Sequence, residues 1–303
     1  MRPFNVGVYL PIYENEMGGE TPRWRDIAAL ARCAEETGFD SVWVPDHLLV
    51  RTDELDMGPW AAMPVLAALA ATTTRIEFGP LVSCALFYNP ALLAKMADTI
   101  DEISDGRFVL GVGAGWHERE FRAFGYPFDQ RVSRFEEMLQ IIAPLLREGR
   151  VDFDGRFVSA RDCELRPRGP RPAGPPILVA GIGPRMLALT AAYGDRWNAT
   201  YSHTGNTPAG FAELNGRLDA ACDAIGRDRS TLVRTVTAYV RSGPSGPSWE
   251  RRVTPLSGSP EQIADGLRTY VNHGADQVIV ALETETLAGI EAMAPVLEIL
   301  DRG

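Results

Sequence analysis

The chain has 303 residues, 45% hydrophobic and 23% charged, which fits one large single-core domain over residues 1–303 better than two independent units. A formal net charge of −10 argues against nonspecific affinity for nucleic acid or anionic lipid. No stretch approaches the ~20 apolar residues of a membrane span, and the opening MRPFNVGVYLP runs into strand-like alternation without a basic then apolar leader.

The expectation is therefore a soluble cytoplasmic protein acting on a small molecule, with no nucleic acid and no membrane partner, although local arginine clusters could still bind a small anion. The four cysteines, Cys33, Cys84, Cys163 and Cys222, are far apart and form no CxxC pair, so neither a zinc site nor a disulfide framework is indicated.

The first strand is read at Phe4–Leu10, followed by a helix over Arg25–Thr37 that puts Ile27, Leu30, Ala31 and Ala34 on one face and ends at Gly38. Strand two, Ser41–Pro45, delivers Asp46 and His47. Histidine is the side chain whose unperturbed pKa suits proton exchange near neutrality, so His47 beside a carboxylate is an acid/base candidate; an Asp–His pair can also simply cap the next segment. Strand three is Ile76–Val82, and the helix Leu92–Ile103 stops before the turn Ser104-Asp105-Gly106.

Strand four, Phe108–Val112, leads into LGVGAGWHEREFRAFG, where Gly111, Gly113 and Gly115 alternate. Their missing side chains would let a flat ligand approach the backbone, or would serve tight packing. Trp116 suits a pocket wall, His117 a surface position, and Glu120, one turn on, either points back to the site or caps its helix.

Helical turns at Glu118–Phe124 and Val132–Arg147 and a hairpin at Val151–Phe157, turning at Asp154-Gly155, then interrupt the alternation, with a Pro/Arg-rich run, CELRPRGPRPAGPP, entering strand five at Ile177–Ala180. After that strand, VAGIGPRMLALTAA reads as a Gly-x-Gly turn with Pro184 opening a helix. That is a phosphate cradle with Arg185 adding charge, or an ordinary βα turn. Strands follow at Arg196–Ala199, Leu232–Val240 and Gln277–Leu282. Between the last two, Ser242–Ser257 is rich in Gly, Pro and Ser and carries Trp249, Arg251 and Arg252, as a loop at a site mouth would.

Eight short strands, most backed by helices, predict an α/β (β/α)8 TIM barrel with an insertion between strands four and five and a mobile loop after strand seven. In that architecture the interior is packed and the chemistry sits on the loops at the C-terminal ends of the strands.

Four segments together, GFDSVWVPDH at Gly38–His47, YNPALLAKMADTIDEISDGRFVLGVGAGWHEREFRAFGYPFD at Tyr88–Asp129, PPILVAGIGPRMLALTAAYGDRWNA at Pro175–Ala199 and GSPEQIADGLRTYVNHGADQVIV at Gly258–Val280, resemble the luciferase-like monooxygenase superfamily of flavin- and deazaflavin-dependent barrels. Within it the chain looks most like the actinobacterial branch that uses coenzyme F420, with FMN as the alternative cofactor.

The resemblance implies that His47 lies against the deazaflavin ring with Asp46 beside it. It implies a non-prolyl cis peptide in a bulge at Pro80–Leu81 backing the ring, with Ser83 nearby. It also implies that Gly113, Ala114 and Gly115 line the ring while Gly181, Ile182, Gly183 and Arg185 hold the phosphate. Sugar-phosphate dehydrogenases of the superfamily carry a glutamate where this chain has Trp116, so a less polar substrate is implied, with acid/base work falling to His47 and Glu120. Trp249 would cover the site, and Arg251 and Arg252 would meet the anionic tail of F420.

The function implied is hydride transfer between F420 and a small, fairly apolar organic substrate. The alternatives are a two-component monooxygenase using reduced FMN and oxygen, with a separate reductase supplying the cofactor, and a non-catalytic flavin-binding protein. A homodimer is implied as well. A metal-dependent barrel hydrolase is disfavoured, because the four histidines include no HxH pair.

Overall fold

A computed structural model describes residues 2–242 and 253–302. Eight parallel strands close into a barrel: β1 (Asn5–Tyr9), β2 (Ser41–Asp46), β3 (Glu77–Cys84), β4 (Leu110–Gly113), β5 (Ile177–Ala180), β6 (Arg196–Thr200), β7 (Val233–Arg241) and β8 (Gln277–Leu282). Neighbours pair in sequence order around the ring, and β8 closes it on β1 with Asn5 opposite Gln277. Strands β5 and β8 begin and end where the sequence places them; the other six shift by one or two residues at an end, most of them in the C-terminal direction.

The barrel strands are buried on both faces, which explains their near-continuous apolar runs. Inside the barrel Trp43, Val109, Leu178 and Ile279 pack as one cluster, while a larger apolar layer lies between strands and helices.

The helices are set by local chemistry. Helix Trp24–Thr37 has Asp26 accepting from the Arg23 N–H at 2.8 Å and ends at Gly38. Helix Pro90–Ile103 is capped by Asn89, which accepts from Leu92 N–H at 3.1 Å, with Pro90 at its first position.

The insertion between β4 and β5 carries helices Glu118–Ala123 and Arg131–Glu148. Its antiparallel hairpin, Arg150–Asp154 with Ser159–Glu164, is longer than the sequence suggests. Its turn is pinned by Glu137, whose carboxylate accepts from the N–H groups of Arg156, Phe157 and Val158 at 3.0, 2.7 and 3.1 Å. In the Pro/Arg-rich run the Arg171 guanidinium clasps the buried Asp101 and fastens the run to the helix ahead of β4.

The loops after β1 and β2 are stitched together, Glu14 N–H donating to Gly58 O at 3.0 Å and Trp60 N–H to Ile12 O at 3.0 Å. They form a wall over the C-terminal end of the barrel that includes a small hairpin, Val50–Arg51 with Asp56–Met57. Trp249, Arg251 and Arg252 lie outside the described residues. No helix among the described residues is long and apolar enough to cross a membrane.

Candidate active site

A cavity of about 740 Å³ opens at the C-terminal ends of the strands, within the range of cofactor sites. Its inner wall is a β-bulge. Val44 pairs with Pro80 and Asp46 with Ser83, so the single residue Pro45 faces both Leu81 and Val82. The non-prolyl cis peptide falls between Leu81 and Val82, one bond beyond the Pro80–Leu81 position expected from sequence. Leu81, Val82 and Ser83 line the cavity; Pro80 sits one step down the strand, opposite Val44. Ser83 Oγ is buried there beside Asp46, short of a well-formed hydrogen bond but close enough for its hydroxyl to favour the ionised carboxylate.

The β4 glycines divide their tasks. A Cβ on Gly111 would run into the carbonyl oxygen of Pro80, so that position serves the close approach of β3 and β4. Gly115 has φ +72°, and a Cβ there would stand 2.6 Å from Cys84 Sγ and 2.7 Å from Phe121 Cζ. Gly113, Ala114 and Gly115 all line the cavity.

His47 stands at the cavity mouth, its Nδ1 2.9 Å from Glu120 Oε2. Glu120 is 1% exposed, and its other oxygen accepts from Leu49 N–H at 3.1 Å and from Leu48 N–H. Burial alone would raise its pKa. The hydrogen bond and charge of His47, with the two N–H groups, outweigh burial and hold the carboxyl below its ordinary value. An ionised carboxylate only accepts, so His47 Nδ1 carries the proton and Nε2 is left without a partner among the described residues.

Asp46, 2% exposed, accepts from the Tyr88 hydroxyl at 2.9 and 3.2 Å. Burial pushes its carboxyl up to about 6 against the opposing pull of Ser83, Tyr88 and His47.

Trp116 packs edge-on to His47 at 5.6 Å and is 62% exposed, a flap on the mouth rather than a sealed wall. His117, expected at the surface, is buried; its Nε2 accepts from Arg51 N–H at 3.0 Å and anchors the hairpin of the β2 loop. Burial lowers its pKa, as an acceptor imidazole requires.

After β5, Gly181 and Ile182 line the cavity, and Gly183 is the N-cap of helix Pro184–Tyr193. Arg185 points elsewhere: it is exposed and engaged by Glu136 at 2.9 Å and Ser133 at 3.2 Å. Among the described residues the arginine that lines the cavity is Arg131, its Nε donating to Gly115 O at 3.2 Å and its guanidinium lying 3.9 Å over Phe128. Sequence reading missed it because it opens a helix of the insertion, far from any strand end. The same reading missed Asn198 and His203, cavity residues on and just after β6.

The sequence model of the luciferase-like monooxygenase family matches residues 4–246, and the chain belongs to that family. It is 35% identical to a pyrimidine monooxygenase, RutA, of Methylorubrum extorquens over 243 residues, 76% of this chain and 63% of that protein. The chain thus spans under two thirds of the length of that relative. It is 29% identical to the 5,10-methylenetetrahydromethanopterin reductase of Archaeoglobus fulgidus over 83% of this chain and 75% of the reductase. An F420-dependent secondary alcohol dehydrogenase, solved with an F420-acetone adduct, superposes with TM-score 0.83 over 99% of each chain at 17% identity, a likeness of fold.

Proposed function

We propose that the chain is an oxidoreductase that moves a hydride between coenzyme F420 and a small, fairly apolar organic substrate. The observation that carries the reading is the His47–Glu120 pair, a histidine fixed by a buried ionised carboxylate at the mouth of a cavity of cofactor size. The 29% identity to a methylenetetrahydromethanopterin reductase, over 83% of this chain, supports a reductase.

The residues present fit a flat ring with an anionic tail. The bulge at Leu81–Val82 and the backbone of Gly113–Gly115 would take the ring, with the buried Ser83 side chain lining the same wall. The Gly181–Gly183 turn would hold phosphate at the start of helix Pro184–Tyr193, with Arg131 as the cationic group lining the cavity. The bound deazaflavin supplies the hydride chemistry. His47 Nε2 gives or takes the substrate proton, and Glu120 keeps the ring oriented and stabilises its charge in the protonated form.

The second reading is an FMN-dependent monooxygenase, favoured by the 35% identity to a pyrimidine monooxygenase. Oxygen separates the two. Substrate-dependent oxidation of reduced F420 under argon supports hydride transfer; turnover only with reduced FMN and air establishes the second reading.

A further inference from the structure

Past His47 the cavity continues into a second chamber of about 300 Å³, which shares His47 and Trp116 with the first. That volume lies at the small end of ligand sites and suits a compound with one ring. The hairpin of the β2 loop and the residues it spans supply aliphatic walls, Val50, Leu55 and Met57. Three aromatic rings join them: Tyr13, Trp116 and Tyr201, delivered by the segments after β1, β4 and β6.

Each ring stands on a tied-down segment. The Tyr13 N–H donates to Glu16 Oε2 at 2.8 Å, and on either side of it Trp60 N–H donates to Ile12 O and Glu14 N–H to Gly58 O, both at 3.0 Å. Tyr201 is buried and rests against Tyr239, ring centroids 5.5 Å apart. Trp116 follows Gly115, at φ +72°, and precedes His117, whose Nε2 accepts from Arg51 N–H at 3.0 Å. Two of the rings also flank the acid/base histidine, Trp116 at 5.6 Å and Tyr13 at 6.3 Å between centroids. A ligand that reaches His47 from this chamber meets both.

Aliphatic side chains bury an apolar substrate as well as aromatic ones do, so hydrophobicity alone does not call for three rings. What rings add is direction: the electron-rich face of one meets the electron-poor edge of another, and such contacts are favourable beyond the area they bury. Because the segments that carry the rings are already held, little ordering opposes those contacts when a ligand enters. We propose that the second chamber is the substrate site and that it selects an aromatic compound of one ring, held in edge and face contacts with Tyr13, Trp116 and Tyr201, its reacting group toward His47. The proposal rests on reading the first cavity as the cofactor site.

The test is calorimetric titration of the full chain with benzyl alcohol and cyclohexylmethanol, which carry the same hydroxymethyl group on an aromatic and on a saturated ring. F420 and FMN binding is followed by fluorescence in parallel samples. The saturated compound is the more hydrophobic, so burial alone favours it and contact between rings reverses the order. Benzyl alcohol is expected to bind about tenfold more tightly, the worth of one or two ring contacts. Tyr13 lines the second chamber and not the first, so Tyr13→Leu is expected to cut that ratio at least about threefold while cofactor affinity stays within about twofold. Equal or tighter binding of cyclohexylmethanol to wild type overturns the proposal, as does an unchanged ratio in Tyr13→Leu or no detectable binding of benzyl alcohol. Should that variant fail to fold, Trp116→Leu, at an exposed side chain, decides in its place by the same ratio. Aromatic selectivity without binding of either cofactor would overturn the cofactor reading and leave the chamber's selectivity standing; cofactor binding without aromatic selectivity would do the reverse.

Discussion

Glu120 holds His47 by one ring nitrogen, Oε2 to Nδ1 at 2.9 Å, and so ties the end of β2 to the first helix of the insertion after β4. The pair joins a residue legible as an acid/base candidate to one whose direction the sequence left open. Because Glu120 also takes the N–H groups of Leu48 and Leu49, it organises the loop behind His47 as well as the ring itself.

If His47 manages the substrate proton, His47→Ala should lower turnover by roughly 10²–10⁴ while cofactor affinity stays within about tenfold. Steady-state rates alongside fluorescence titration check this. Equal loss of both would make His47 a cofactor-holding residue.

Glu120, held below its ordinary pKa, contributes stability that is present above the usual carboxylate range and lost as pH falls through its folded pKa. Glu120→Gln should therefore lower the thermal midpoint at neutral pH and shrink the acid-side loss of stability. Melting curves across the acid range in both proteins read the difference; parallel pH profiles would show that the carboxylate charge is not the stabilising element.

Glu16 has the opposite sign. Its pKa rises from 4.5 to about 7, so the folded state binds more protons than the unfolded chain in that window and stability falls as pH rises through it. Glu16→Gln should raise the thermal midpoint above pH ~7 and flatten the wild-type decline. A variant less stable than wild type on the alkaline side would contradict the raised Glu16 pKa.

Gly111→Ala and Gly115→Ala should both destabilise, for different reasons. The first forces β3 and β4 apart at the Pro80 carbonyl. The second sets a side chain at φ +72° against Cys84 and Phe121, and about 1–3 kcal/mol is the expected range for that kind of backbone strain. Denaturant midpoints measure both. Loss at Gly111 without loss of cofactor binding would fit its packing role.

The barrel was legible because parallel strands buried on both faces read as compact apolar runs between Gly, Pro and Asp, and Ile177–Ala180 and Gln277–Leu282 came out with the observed ends. His47, Asp46 and the β4 glycines followed from their place at strand ends. Arg131 did not, because it lies on an insertion where no period ties a residue to a strand end. The cis bond was misplaced by one residue: a bulge sets two residues against one, and a linear motif does not fix which of them takes it. Arg185 was misdirected because Glu136, on the inserted helix, competes for it.

The most direct test of the account is titration of F420 and FMN into the apo-protein, followed by fluorescence. Micromolar or tighter binding of F420, about −8 kcal/mol, with FMN weaker, is the expected result. Binding of FMN with F420 excluded, or of neither, would contradict it.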